Sequence, residues 1–150
     1  MKNIHLSEII ENREVISFTW EASVKDLILC QIKNWRINQF YIINDNAVLI
    51  GTISKIKIME YLAPLYCVME NSYQEEFDKR LAELKACTLM DEEFPYLTMK
   101  QYLTEALIQM LNSGSSYLPV ICEDGCLVGE VTVDDLVKVI PVREKELLYA

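Results

Sequence analysis

Thr132 and Asp135 stand three residues apart at the start of a helix-spaced apolar run, Leu136, Val137, Val139 and Ile140. A hydroxyl and a carboxylate at this spacing can act in two ways. As a capping box, the Thr132 hydroxyl accepts from the Asp135 amide while the carboxylate accepts back from the Thr132 amide. As a ligand site, the hydroxyl and the helix-start amides suit a phosphate, and the carboxylate suits sugar hydroxyls. One pair of residues can do both.

Two short apolar runs, Leu118 to Cys122 and Cys126 to Val131, must position this pair, and they flank Glu123-Asp124-Gly125. Asp-Gly between apolar runs signals a β-hairpin, because the tight turn needs positive φ. The stretch from Leu118 to Ile140 therefore predicts strand, turn, strand and a capped helix.

The chain has 150 residues, 51% hydrophobic and 25% charged, enough for one sizeable core or two small ones. No apolar run approaches the ~18 residues of a membrane span, and polar residues interrupt MKNIHLSEIIENREV where a signal-peptide core would lie. A cytoplasmic protein without membrane insertion is expected. Cys30, Cys67, Cys87, Cys122 and Cys126 lie mostly in apolar surroundings and suit reduced thiols, with the last two bracketing the hairpin turn. With His5 as the single histidine, no metal site is expected. The net charge of −9 repels nucleic acid and anionic lipid, so an anionic ligand would have to be held locally. No nucleophile–base set or glycine-rich phosphate loop appears, and no enzyme is expected.

In chain order, Leu6, Ile9 and Ile10 predict a short helical lead-in and Val15 to Thr19 a strand. Ser23 and Asp26 form a second candidate capping box before Val24, Leu27, Ile28 and Ile32, which share one helical face. Phe40 to Ile43, a turn at Asn44-Asp45-Asn46, and Ala47 to Ile53 predict another hairpin, followed by a helix over 54–62, and Ala63-Pro64-Leu65 ends the first copy. An offset of 78 residues lays Tyr41 to Leu62 without gaps on Pro119 to Ile140, Gly51 falling on Gly129. Upstream the offset becomes 79. The chain is thus two copies of strand, helix, strand, strand, helix. Residues 72–86 read as an amphipathic helix packed by Phe77, Leu81 and Leu84, and Cys87 to Asp91 lead into the second copy as HLSEII leads into the first. The tail after Pro141 is charged.

TLMDEEFPYLTMKQYLTEALIQML, SSYLPVICEDGCLVGEVTVDDLVKVI and the weaker VLIGTISKIKIMEYL together resemble the tandem cystathionine β-synthase-type (CBS) domain pair, the Bateman module. The resemblance implies an α/β (α+β) fold of two β-α-β-β-α repeats packed about a pseudo-twofold axis. It divides the chain into a first repeat over 1–66, a linker with its helix over 67–85, and a second repeat with tail over 86–150. It also implies a stand-alone regulatory module that binds AMP, ADP, ATP or S-adenosylmethionine, requires no cofactor, forms a homodimer and signals to a regulated partner. The alternative is a ligand-free interaction and dimerisation module of the same fold.

The family's Gly-x-x-[Ser/Thr]-x-x-Asp segment is matched by Gly129, Thr132 and Asp135, implying a hydroxyl near phosphate and a carboxylate on ribose. The first copy departs from it, with Gly51 and Ser54 but Lys57 where the acid would stand. A lysine has only donors, so it would serve a phosphate or solvent. Thr98 and Tyr117 match positions where the family lines the cleft.

Overall fold

The computed structural model describes residues 3–11, 13–68 and 74–139. The first half runs α1 (Leu6–Ile10), β1 (Ser17–Thr19), α2 (Val24–Lys33), β2 (Gln39–Ile43), β3 (Leu49–Ser54) and α3 (Lys55–Val68). After α4 (Gln74–Glu83), the second half repeats the order as α5 (Ala86–Leu89), β4 (Leu97–Thr98), α6 (Leu103–Ser113), β5 (Tyr117–Ile121), β6 (Leu127–Thr132) and α7 (Val133–Val139). The charged tail lies outside the described residues.

Local chemistry accounts for the boundaries. Ser23 accepts from Asp26 N at 3.1 Å and Asp26 Oδ2 accepts from Ser23 N at 3.1 Å, closing the expected box at the start of α2. Gly125 takes φ +84° in the second hairpin turn, and Ala47 takes φ +64° at the corresponding place in the first. One expectation is corrected: the helix expected over 54–62 does not stop at Leu62 but runs through Pro64 to Val68. The missing Pro64 N–H orphans the Glu60 carbonyl, and Glu60 is exposed, so water can take that bond.

Each half holds its own three-stranded sheet, ordered β1-β2-β3 and β4-β5-β6, with the first pair parallel and the second antiparallel. Registers coincide: Ile42 faces Gly51 as Val120 faces Gly129, and the ladder shifts after Ile42 and after Val120. The hairpins meet at Val48 and Cys126, which the overlay makes equivalents. Leu49 N donates to Gly125 O at 3.0 Å and Leu127 N to Ala47 O at 3.3 Å, so exchanging the copies maps one bond onto the other. Self-equivalent antiparallel pairing is the mark of a twofold axis.

The same symmetry governs the lead-ins, and they are exchanged. Leu6 and Ile10 of α1 sit in the core of the second copy with Leu97, Leu103, Leu118 and Val131. Ala86 of α5 sits in the core of the first with Val24, Leu27, Phe40 and Ile53, joined there by Leu81 from α4. Leu6 N bonds Gln101 O at 2.9 Å and Leu103 N bonds Ile4 O at 2.7 Å, mirrored by Ala86 N to Ala22 O at 2.7 Å and Val24 N to Leu84 O at 2.8 Å. Each core is completed by a segment that the chain delivers from beside the other copy, which binds the halves together by burial worth about 1.5–3 kcal/mol per large apolar side chain.

Candidate functional site

Both hydrogen bonds of the second capping box are present at the start of α7. Asp135 Oδ2 accepts from Thr132 N at 2.9 Å and from the Thr132 hydroxyl at 3.1 Å, and Thr132 Oγ1 receives Asp135 N at 3.3 Å. Oδ1 is engaged elsewhere: Arg13 Nη1 lies 2.7 Å away. The carboxylate is 8% exposed and the guanidinium side chain 42%. Arg13 follows the lead-in of the first copy, so the exchange of lead-ins carries this cation onto the acid of the second.

The first copy has the same construction with opposite polarity. Ser54 Oγ accepts from Lys57 N at 3.0 Å, capping α3. Lys57, third residue of its helix as Asp135 is of α7, places Nζ 3.5 Å from Asp91 Oδ1, just past the lead-in of the second copy. Thr52 and Asp91 also exchange backbone bonds of 3.1 and 2.8 Å. Both helix starts are therefore closed by an ion pair to the crossing lead-in, acid-to-arginine in one and lysine-to-acid in the other. Sequence reasoning missed Arg13 and Asp91. Their signal was the inverted charge of Lys57 against Asp135, which calls for inverted partners.

Tyr117 is half-buried and pairs across the hairpin with Thr132. Thr98 is set apart from them: its amide donates to Gln101 Oε1 at 2.8 Å, and it helps line a cavity of about 740 Å³ with His5, Lys100, Cys122 and Asp124. Thr132, Asp135, Tyr117, Ser54 and Lys57 do not line that cavity. A polar cavity of about 240 Å³ lies between the copies, walled by Glu14, Arg36, Asn38, Tyr41 and Glu130. There the Glu130 carboxylate accepts from Asn38 Nδ2 at 2.8 Å and from the Tyr41 hydroxyl. Burial pushes the Tyr41 phenol well above its ordinary value, and the adjacent Glu130 charge pushes it further.

Among the described residues no cluster of three His, Cys, Asp or Glu side chains could hold a metal ion, and no helix is long and apolar enough to cross a membrane.

Residues 84–142 match the family model of the CBS domain. No curated protein matches the sequence at a significant level. Among solved structures, the CBS domain of a CBS-domain-containing membrane protein from Sphaerobacter thermophilus aligns at 19% identity and TM-score 0.71, over 93% of this chain and 90% of that one. CBSX2 in complex with AMP aligns at 20% identity and TM-score 0.69, over 90% and 94%. The cytosolic domain of the Mg2+ channel MgtE in complex with ATP aligns at 19% identity and TM-score 0.64, over 83% of this chain and 44% of that one. The second repeat is a CBS domain, and the chain as a whole carries the fold of a tandem CBS-domain pair.

Proposed function

We propose that the chain is a regulatory CBS-pair module that binds an adenosine-containing ligand (AMP, ADP, ATP or S-adenosylmethionine) at the Thr132–Asp135 helix start and passes the change to a partner protein. The observation that carries this reading is the Arg13–Asp135 pair, a buried carboxylate whose outer oxygen is held by a partly exposed cation. Ribose offers two hydroxyl donors to that oxygen, and the displaced guanidinium is then beside the ligand's phosphate or carboxylate, which it can hold bidentately. Tyr117 flanks Thr132 on the same hairpin, whereas Thr98 lines the separate 740 Å³ cavity. In the first copy Lys57 stands where the acid would be and pairs with Asp91, so binding there is weak or absent. The AMP and ATP complexes among the similar structures support the ligand class.

A homodimer in the cytoplasm, without nucleic acid or membrane insertion, completes the reading. Leu29 and Ile32 on α2 are 46% and 74% exposed, and their equivalents on α6, Ile108 and Leu111, are 59% and 83% exposed. Apolar side chains left out at equivalent positions of both copies suit a symmetric partner surface.

The alternative is the ligand-free interaction module, in which Arg13 and Thr132 keep both oxygens of Asp135 engaged. Calorimetric titration separates the readings. Saturable heat with one of the four ligands, abolished by Asp135→Asn, supports sensing; no heat with any of them leaves the interaction module.

A further inference from the structure

The second hairpin turn carries a dithiol that the adenosyl reading does not use. The ladder ends at Ile121–Leu127, and beyond it Cys122 N donates to Cys126 O at 2.9 Å while Gly125 N donates to Cys122 O at 3.0 Å, so Cys122 stands opposite Gly125 and Cys126 across a bulged turn. Residues facing each other across an antiparallel turn have Cα atoms about 4.5–5.5 Å apart, within the roughly 4.4–6.8 Å that a disulfide spans. Both thiols are partly exposed, and Cys122 lines the 740 Å³ cavity beside Lys100 and His5.

We infer that Cys122 and Cys126 form a reversible disulfide across the hairpin turn, closed by a low-molecular-weight disulfide and coupled to the junction between the two copies.

Asn44 shows what the position of Cys122 does in this turn, since the overlay makes them equivalents. Asn44 Oδ1 accepts from Asn46 N at 2.9 Å and from Val48 N at 3.0 Å. In the second copy the amides of Cys126 and then Asp124 hold the Cys122 sulfur in the same way and lower its pKa, whereas desolvation and the Cys122 sulfur raise that of Cys126. Cys122, which opens onto the cavity, is thus the attacking thiolate, and Cys126, whose thiol is engaged by Asn46 O, is the resolving thiol. The Cys122 thiolate attacks one sulfur of RSSR, and the departing RS− takes up a proton. Cys126 then gives its proton to solvent and displaces the second RS− from the mixed disulfide. Two protein thiols lose two electrons in total, and one RSSR becomes two RSH.

Coupling to the junction follows from the place of Cys126. Its thiol donates to Asn46 O at 3.6 Å, in the hairpin turn of the first copy, and its backbone bridges Val48. Closing the disulfide withdraws that sulfur from Asn46 and so loosens the junction at which the Gly125 carbonyl receives Leu49 N.

The test incubates the reduced full chain with oxidised glutathione, quenches it with acid and N-ethylmaleimide, and maps the tryptic peptide Gln101–Lys138. The expected peptide is two hydrogens lighter, unalkylated at both cysteines, and restored by reduced glutathione. Cys126→Ser traps glutathione on Cys122, while Cys122→Ser stays unmodified at Cys126 for the same exposure. Amide exchange at Leu49 and Leu127 quickens on oxidation. A wild-type peptide that remains alkylated at both cysteines, or that keeps a glutathione adduct, overturns the disulfide; equal adducts in the two variants overturn the assigned roles; unchanged exchange at Leu49 and Leu127 overturns the coupling.

Discussion

Gly129 lies directly beneath Ile10: a Cβ built on Gly129 would stand 2.9 Å from both Cβ and Cγ2 of Ile10. The crossing lead-in of the first copy therefore rests on bare backbone of β6. Gly51 has the same relation to Met90, on the crossing lead-in of the second copy. Gly129→Ala forces a branched side chain at its stiff Cβ to move and should cost about 1–3 kcal/mol. Gly51→Ala should cost a similar amount, because the Met90 Cβ also stands at 2.9 Å and only the thioether end can swing aside. Denaturant unfolding of both variants checks this, and an unperturbed Gly129→Ala would show that the lead-in does not pack there.

Leu81 on α4 is 5% exposed in the core of the first copy, flanked by partly buried Phe77 and Leu84. Leu81→Ala should lower stability by about 2–5 kcal/mol, with loss of cooperativity in the first half. An unchanged melting temperature would contradict the docking of this helix.

The Tyr41 phenol, raised above its ordinary 10.0 by burial and by Glu130, gives the fold an alkaline liability. Below pH 10 the tyrosine is protonated in folded and unfolded chains alike, and its contribution is intact. As the pH rises through 10 the unfolded chain releases this proton and the folded chain keeps it, so stability falls with pH. Tyr41→Phe loses the bond to Glu130 yet should show a flatter fall above pH 10. A parallel alkaline limb in wild type and variant would contradict the assignment.

Lys57→Asp sets an acid against Asp91 and should destabilise the first copy by up to about 1 kcal/mol, since both side chains are well exposed. Adding Asp91→Arg rebuilds the polarity of the Arg13–Asp135 pair and should recover that loss. Unfolding midpoints of the single and double variants measure the coupling.

The repeat, the hairpins and both capping boxes were legible because each rests on local chemistry: positive φ at Gly125, Ser23 with Asp26, and Thr132 with Asp135. Other features depend on which segments the tertiary fold brings together. The overlay equates the two lead-ins but does not tell which core Leu6 or Ala86 enters, since both cores offer the same apolar pattern. Arg13 belongs to no local motif, and only the crossing delivers it to Asp135. The run of α3 past Pro64 forgoes the backbone bond to the Glu60 carbonyl, which no sequence pattern encodes.

Arg13→Ala leaves Asp135 Oδ1 without its cation and should cost about 1 kcal/mol, discounted from a fully buried pair by the exposure of the arginine. If Arg13 turns to the ligand's anionic group, the variant loses affinity for AMP, ADP and ATP. A gain in affinity would mean that Arg13 only competes for Asp135.

The most direct measurement is thermal melting of the purified wild-type chain and of Asp135→Asn with AMP, ADP, ATP and S-adenosylmethionine at millimolar concentration. Ligand at 100 times its dissociation constant stabilises the bound fold by about 2.7 kcal/mol, a readily observed shift. Sensing at Asp135 predicts a raised melting temperature with at least one of these ligands in wild type and little or none in Asp135→Asn. No shift with any ligand, or an equal shift in the variant, would contradict it.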